Sequence, residues 1–168
     1  MKYRILGQLT GPQGRAECPV EAPVPPGTGL EWSGLVRGEI RLEKAGEEYL
    51  ARGYLQATVL LPCSRCTVTH PVPLRLELEE SVALRQIDEP QAYEETDEAA
   101  PLPILVGEAV DLSELVRQIL VLNVPARSLC RPDCHGICPQ CGQDLNQGQC
   151  DCAIKEVDPR LAALRELL

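Results

Sequence analysis

The chain has 168 residues, 44% of them hydrophobic and 24% charged, with a net charge of −9 at pH 7. That suits one packed domain with an appendage better than two full domains. With no Phe, one Trp and four Tyr, the core must be aliphatic, and residues for an aromatic base-stacking platform are scarce.

The acidity is local. Residues 1–60 balance, residues 61–125 carry four basic and twelve acidic side chains, and residues 126–168 are net −1. Such a chain offers no broad basic footprint for a phosphate backbone. Basic proteins are electrostatically easier partners, unless a small Arg patch dominates one face. The opening MKYRILGQLT lacks the apolar core of a secretory signal. No run approaches the ~18–20 apolar residues of a membrane span. The expected compartment is therefore the cytoplasm, where clustered cysteines point to metal rather than to disulfides.

Residues 11–30 hold five prolines and four glycines, which predicts an extended or looping opening segment. Alternation then begins. In VRGEIRLE (36–43), Val36, Ile40 and Leu42 share one face, and Arg37, Glu39, Arg41 and Glu43 the other. That period of two predicts a half-buried strand. KAGE (44–47) reads as a turn, and a second strand runs from Tyr49 to Leu61. PCSRC (62–66) interrupts it, and a third alternation follows through Val72, Leu74, Leu76 and Leu78. The three make an antiparallel meander with CSRC at a hairpin tip. Pro71 and Pro73 favour an edge position for the third strand.

Residues 88–101 contain six acids and no base, which reads as a solvated loop or a lure for a basic partner. In DLSELVRQILVL, Asp111 is the expected N-cap and Glu114 falls at the N3 position of a capping box. Leu112, Leu115, Val116, Ile119 and Leu120 form a stripe at helical spacing, and Pro125 ends the element. A last helix is expected from Asp158-Pro159, with Leu161, Leu164, Leu167 and Leu168 on one face. The predicted fold is α+β: residues 1–125 form a mostly antiparallel sheet with a packed helix, and residues 126–168 form a cysteine-rich zinc-binding tail with a terminal helix.

The thiols carry the chemistry. Six of the nine cysteines lie between positions 130 and 152, in CRPDCHGICPQCGQDLNQGQCDC. CPQCG has the form of a knuckle that brings two thiolates to one ion. Cys138 and Cys141, with Cys150 and Cys152 returned by the DLNQGQ turn, supply the four thiolates of a tetrahedral zinc site. Cys63 and Cys66 could meet Cys130 and Cys134 in a second such site, which would staple the tail to the sheet and leave Cys18 over. Iron in place of zinc is the alternative, since four-cysteine knuckles also hold iron. A four-cysteine zinc site has no open coordination position, so its role is folding rather than catalysis. A redox role for Cys63-Ser-Arg-Cys66 is weaker, because the motif sits on a hairpin tip rather than at a helix N-terminus. His70 reads as a surface or packed residue, and His135 could replace one thiolate. No constellation for enzymatic catalysis and no small-molecule site assembles itself from the remaining residues.

A strand ending in CSRC, an acidic stretch, DLSELVRQILVLNVP, LCRPDCHGICPQCGQDLNQGQCDC and a closing DPRLAALREL occur here in that order. Over roughly residues 30–168 this resembles the YceD family, named for large ribosomal RNA subunit accumulation. The resemblance implies a factor without enzymatic activity. It would promote 23S rRNA accumulation and large-subunit assembly by binding precursor rRNA or a large-subunit ribosomal protein. Arg65, Arg127 and Arg131, near the cysteines, are the candidate RNA- or partner-binding residues. The alternative is a zinc-stabilised protein–protein adaptor unrelated to RNA.

Overall fold

The structure is a computed structural model that describes residues 1–86, 102–106 and 108–152. Its elements in chain order are β1 (Lys2–Tyr3), α1 (Leu6–Thr10), β2 (Arg15–Pro23), β3 (Glu31–Ala45), β4 (Glu48–Pro62), β5 (Thr69–Gln86), β6 (Leu102–Val106), β7 (Ala109–Asp111) and α2 (Ser113–Leu122). The acidic stretch at 88–101 and the closing helix expected from Asp158 lie outside the described residues.

The alternating segments become the three long strands of one sheet, in the order β1-β7-β6-β5-β4-β3-β2. All neighbours are antiparallel except β5 and β6. The fold is thus the mostly antiparallel sheet with few helices that the alternation predicts. Each strand is longer than its alternating stretch, because pairing continues where the pattern weakens: β3 and β4 stay in register from Arg37↔Gln56 to the turn at Ala45↔Glu48.

One expectation is sharpened and one needs correction. Within the Pro- and Gly-rich opening the extended alternative holds for Arg15–Pro23, a strand pairing with β3 from Arg15↔Glu43 to Pro23↔Leu35. Its Ala16, Cys18 and Val20 are buried while Glu17, Pro19 and Glu21 face solvent. Its prolines are tolerated because β2 is the last strand of the sheet. Conversely, β5 is interior in strand order, not an edge. β6 pairs with it only from Val82 onward, so at Pro71 and Pro73 the strand pairs with β4 alone among the described residues.

One face of the sheet forms the core with α2. Leu112, Leu115, Val116, Ile119 and Leu120 are all buried against the strands, each contributing about 1.5–3 kcal/mol relative to exposure. The cap departs from expectation in detail. Leu112 takes the N-cap position, Asp111 ends β7 and its Oδ1 accepts the Ser113 N–H at 2.9 Å. Glu114 turns to Arg117 and Gln118 rather than back to the helix start. Asn123 closes the other end, its Nδ2 donating to the Ile119 carbonyl at 2.8 Å. On the buried side, the Tyr49 hydroxyl donates to the Leu9 carbonyl at 3.0 Å and ties α1 to the sheet. Cys18 is fully buried among aliphatic side chains, and that burial pushes its thiol up to about 11.

The opposite face is solvated and of mixed charge. Arg37 pairs with Glu21, Arg41 with Glu17 and Arg52 with Glu79 across neighbouring strands. The Arg52 guanidinium holds the Glu79 carboxyl below its usual range. Such exposed pairs contribute little to stability. They do leave this face without a continuous cationic surface. No helix among the described residues is long and apolar enough to cross a membrane.

Candidate metal centres

The loop between β4 and β5 is a cysteine knuckle. The Cys63 N–H donates to the Val68 carbonyl at 2.9 Å, the Thr67 N–H to the Cys63 carbonyl at 2.9 Å, and the Arg65 N–H to the Cys63 sulfur at 3.5 Å. The same turn recurs 75 positions later: the Gly142 N–H donates to the Cys138 carbonyl at 2.9 Å and the Gln140 N–H to the Cys138 sulfur at 3.4 Å. Each knuckle ends on a left-handed residue, Gly142 at φ +74° and Thr67 at φ +63°. A left-handed conformation costs a non-glycine residue roughly 1–2 kcal/mol. Thr67 recovers part of this through a 2.7 Å bond from its Oγ1 to the Cys66 carbonyl. The two positions should therefore respond asymmetrically. Thr67→Gly is expected to leave metal affinity nearly unchanged. Gly142→Val is expected to weaken it about 5- to 30-fold, from ~1–2 kcal/mol of backbone strain. Competition with a chromophoric chelator reads both.

The fold gathers eight thiols into two sets. Cys63, Cys66, Cys130 and Cys134 form one, and Cys138, Cys141, Cys150 and Cys152 the other, with all sulfurs of a set within 4.8 Å of one another. In the first set the Cys63 and Cys134 sulfurs are 3.8 Å apart, and those of Cys66 and Cys130 3.6 Å apart. A tetrahedral ion with metal–sulfur bonds near ~2.3 Å requires sulfurs about 3.8 Å apart. The donor set and its spacing fit a thiophilic divalent ion in both places. These are the two groups of four that the spacing arithmetic put forward.

The first set joins the tail to the sheet. The Ser64 N–H donates to the Ser128 carbonyl at 2.8 Å, and the Ser128 N–H returns to Ser64 Oγ at 3.2 Å. Arg65 Nη1 donates to the Cys134 carbonyl at 2.8 Å, and the Ile137 N–H to the Arg65 carbonyl at 3.2 Å. Gly136 makes this approach possible. At φ +79°, a Cβ there would lie 2.9 Å from the Arg65 carbonyl oxygen. The second set is linked to the first through the same segment: Ile137 bridges Asp144, and the Leu145 N–H donates to the Gly136 carbonyl at 2.9 Å.

Burial separates the two sets. Cys63, Cys66 and Cys134 are 2%, 5% and 1% exposed, with Cys130 half-buried, while in the second set Cys138 is buried, Cys141 is exposed and Cys150 and Cys152 are half-buried. Within each set the thiols are pulled apart electrostatically. Backbone hydrogen bonds from Cys130, Cys66 and Arg65 bring Cys63 down to about 5, and those from Cys141 and Gln140 bring Cys138 down to about 6. Burial and neighbouring thiols push Cys130 up to about 12, and hydrogen bonding with Cys141 together with burial does the same to Cys152. Four thiolates this close repel one another. A divalent cation offsets that repulsion and displaces the remaining protons.

Of the other residues read from the sequence, Arg65 and Arg131 have partners within the cysteine lobe, formed by the knuckle at 63–68 and residues 128–152. Arg131 Nη2 donates to Asn146 Oδ1 at 2.8 Å, and its Nε lies 3.5 Å from Asp133. Arg127 is exposed. His135 stands outside both thiol sets, its backbone N–H donating to Asn146 Oδ1 at 2.8 Å. His70 is half-buried, with Nδ1 3.4 Å from the Val68 carbonyl. Three residues escaped sequence reasoning. Gly136 carried a faint signal, a glycine two residues before a knuckle. Thr67 and Asn146 carried none.

A mostly antiparallel sheet with two four-thiol sets, one of them spanning a hairpin tip and a later segment, defines a β-sheet protein whose cysteine clusters could each hold a metal ion. The chain belongs to the YceD family: the family model described as "Large ribosomal RNA subunit accumulation protein YceD" matches residues 51–168. The match starts within β4, later than residue 30, and contains all eight clustered cysteines. Among relatives, the chain is 32% identical over 139 residues to an uncharacterized protein of Mycobacterium tuberculosis, covering 83% of this chain and 65% of that one. It is 28% identical over 133 residues to the protein YlbN of Bacillus subtilis, covering 79% of this chain and 71% of that one. A chloroplast protein of Arabidopsis thaliana, named Large ribosomal RNA subunit accumulation protein YCED homolog 1, is 33% identical over 58 residues, covering 34% of this chain and 18% of that one. The matched region thus spans just under two thirds of the mycobacterial relative. No solved structure matches the chain significantly.

Proposed function

We propose that this protein is a non-catalytic factor of large-subunit biogenesis. It promotes 23S rRNA accumulation by binding precursor rRNA, a large-subunit ribosomal protein, or both, in the cytoplasm. The observation that carries this reading is the family match across residues 51–168, since the family and its plant member are named for accumulation of large-subunit RNA. In this reading each thiol set holds one zinc ion. Four thiolates close the coordination sphere, so the metals shape the protein and do not catalyse.

Charge bears on the direct partner. A zinc ion with four thiolates carries about two net negative charges, so filling both sets makes an already acidic chain more so. That favours a basic ribosomal protein as the first contact and leaves RNA contact to a local patch at Arg65, Arg127 and Arg131. The same acidity keeps the adaptor reading in view. Crosslinking in cells, followed by sequencing of bound RNA and identification of bound proteins, is expected to recover 23S precursor together with large-subunit proteins. Recovery of neither above background would overturn the proposal. Replacing the three arginines with alanine is expected to lower direct RNA crosslinks while leaving protein crosslinks in place. Proteins from outside the ribosome as the dominant catch would favour the adaptor.

A further inference from the structure

The eight residues 142–149 lie between the Cys138/Cys141 half and the Cys150/Cys152 half of the outer set. An ion bound by those four sulfurs closes this segment into a loop. Asn146 sits in that loop, yet its side chain works at the other centre. Its Oδ1 accepts from Arg131 Nη2 and from the His135 N–H, both at 2.8 Å. It thereby grips the chain on both sides of Cys134. Its Nδ2 lies 3.6 Å from the Cys134 sulfur and 2.7 Å from Asp144 Oδ1. Two donors on the oxygen and two acceptors at the nitrogen fix the amide orientation. The Asp144 carboxylate is itself held by the Asn146 N–H at 2.9 Å and Gln147 Nε2 at 3.0 Å.

We propose that Asn146 is a positioning residue that couples the two centres, so that filling the outer set secures the ion in the inner one. The proposal rests on both thiol sets being metal sites. The physical path is short. The outer ion removes the freedom of the 142–149 loop. The ordered loop aims the Asn146 amide at the Cys134 thiolate, and a hydrogen bond to a ligating sulfur orients the ligand and stabilises its charged form. Losing such an outer-shell partner typically costs about 10–100-fold in metal affinity. Because binding couplings are reciprocal, the inner ion must strengthen outer binding by whatever factor the outer ion strengthens inner binding. The outer set, which carries the one exposed cysteine of the eight, then acts as the point of exchange, and the inner set follows it.

The test uses the full chain loaded with cobalt(II), whose thiolate charge-transfer band reports on each centre, and counts ions by native mass spectrometry. Four proteins suffice: unmodified, Asn146→Ala, Cys152→Ser to disable the outer set, and the double variant. The unmodified chain is expected to bind two ions with little one-ion species. Asn146→Ala is expected to shift the inner band, speed inner-ion loss to a chelator about 10–100-fold, and let the one-ion species accumulate. Cys152→Ser is expected to speed inner loss similarly, with no further effect from adding Asn146→Ala. Asn146→Asp keeps the acceptor for Arg131 and His135 but removes the donor to sulfur. It is expected to shift the inner band as well, which separates the sulfur contact from mere unfolding of the lobe. Fewer than two ions on the unmodified chain would overturn the two-site reading itself. Two ions with inner-ion release indifferent to Asn146, or with additive effects in the double variant, would overturn the coupling alone.

Discussion

Cys134→Ser is expected to release the cysteine lobe from the sheet while the sheet itself stays folded. Cys134 is 1% exposed and its sulfur lies 3.8 Å from that of Cys63. Structural four-ligand zinc stabilises small modules by an apparent ~10–16 kcal/mol at neutral pH, so losing a buried ligand leaves the lobe little to fold around. The hydrogen bonds from Ser64 to Ser128 and from Ile137 to Arg65 depend on that docking. The large hydrophobic cluster does not, because the cysteines form a separate buried group from the one built by the strands and α2. Hydrogen exchange is the measurement: amides of residues 63–68 and 128–149 should lose protection, and those of β3 and β4 should keep it. Unchanged protection in the lobe would show that the first thiol set is not what holds it. Cys18→Ser, outside both sets, is expected to leave metal content unaltered.

The second large effect is expected in the sheet. Gly38 and Gly53, both at φ +159°, lie within the paired stretch of β3 and β4, opposite Leu55 and Ile40 respectively. A Cβ at Gly53 would fall 1.9 Å from the Glu39 carbonyl oxygen, and one at Gly38 2.0 Å from that of Tyr54. Both obstacles are backbone atoms in the middle of a paired ladder, so neither can turn aside as a flexible side chain would. Gly53→Ala is expected to cost about 3 kcal/mol, the upper end of the usual overpacking range, and to lower Tm by about 6–12 °C for a chain of this size. Gly46→Ala is the comparison. Its φ is +72° but no heavy atom lies within 4 Å of the added carbon, so only ~1–2 kcal/mol of left-handed strain applies. Calorimetry that ranked Gly46→Ala as the more damaging change would contradict the backbone obstruction at Gly53.

These two expectations mark what the sequence made legible. Strands β3, β4 and β5 announced themselves because their period of two runs over eight or more residues with one apolar face. The α2 stripe was equally plain, although the start of the helix shifted from Asp111 to Leu112 at the N-cap position. Strand β2 was hidden because Pro19 and Pro23 weigh towards a loop, and only the edge position makes them harmless. β1, β6 and β7 span two, five and three residues, too few for periodicity to register. β1 pairs with the distant β7, Lys2↔Asp111, whereas β6 and β7 pair with each other at Val106↔Ala109. At the thiol clusters, cysteine spacing was enough to propose both groups of four. Thr67 was not recoverable, because threonine is a poor candidate for φ +63° until the knuckle around Cys63 imposes it. Asn146 was not recoverable either, since a polar residue in a turn carries no mark of the sulfur it reaches.

What the eight gathered thiols hold decides whether the cysteine clusters are metal sites. Native mass spectrometry of the intact chain, purified without added metal or chelator, is the decisive measurement. The prediction is a mass increment of two zinc ions per chain, falling to fewer when any one of the eight cysteines is replaced by serine and unchanged by Cys18→Ser. A chain that carries no metal, or one whose clustered thiols are paired as disulfides, would contradict it.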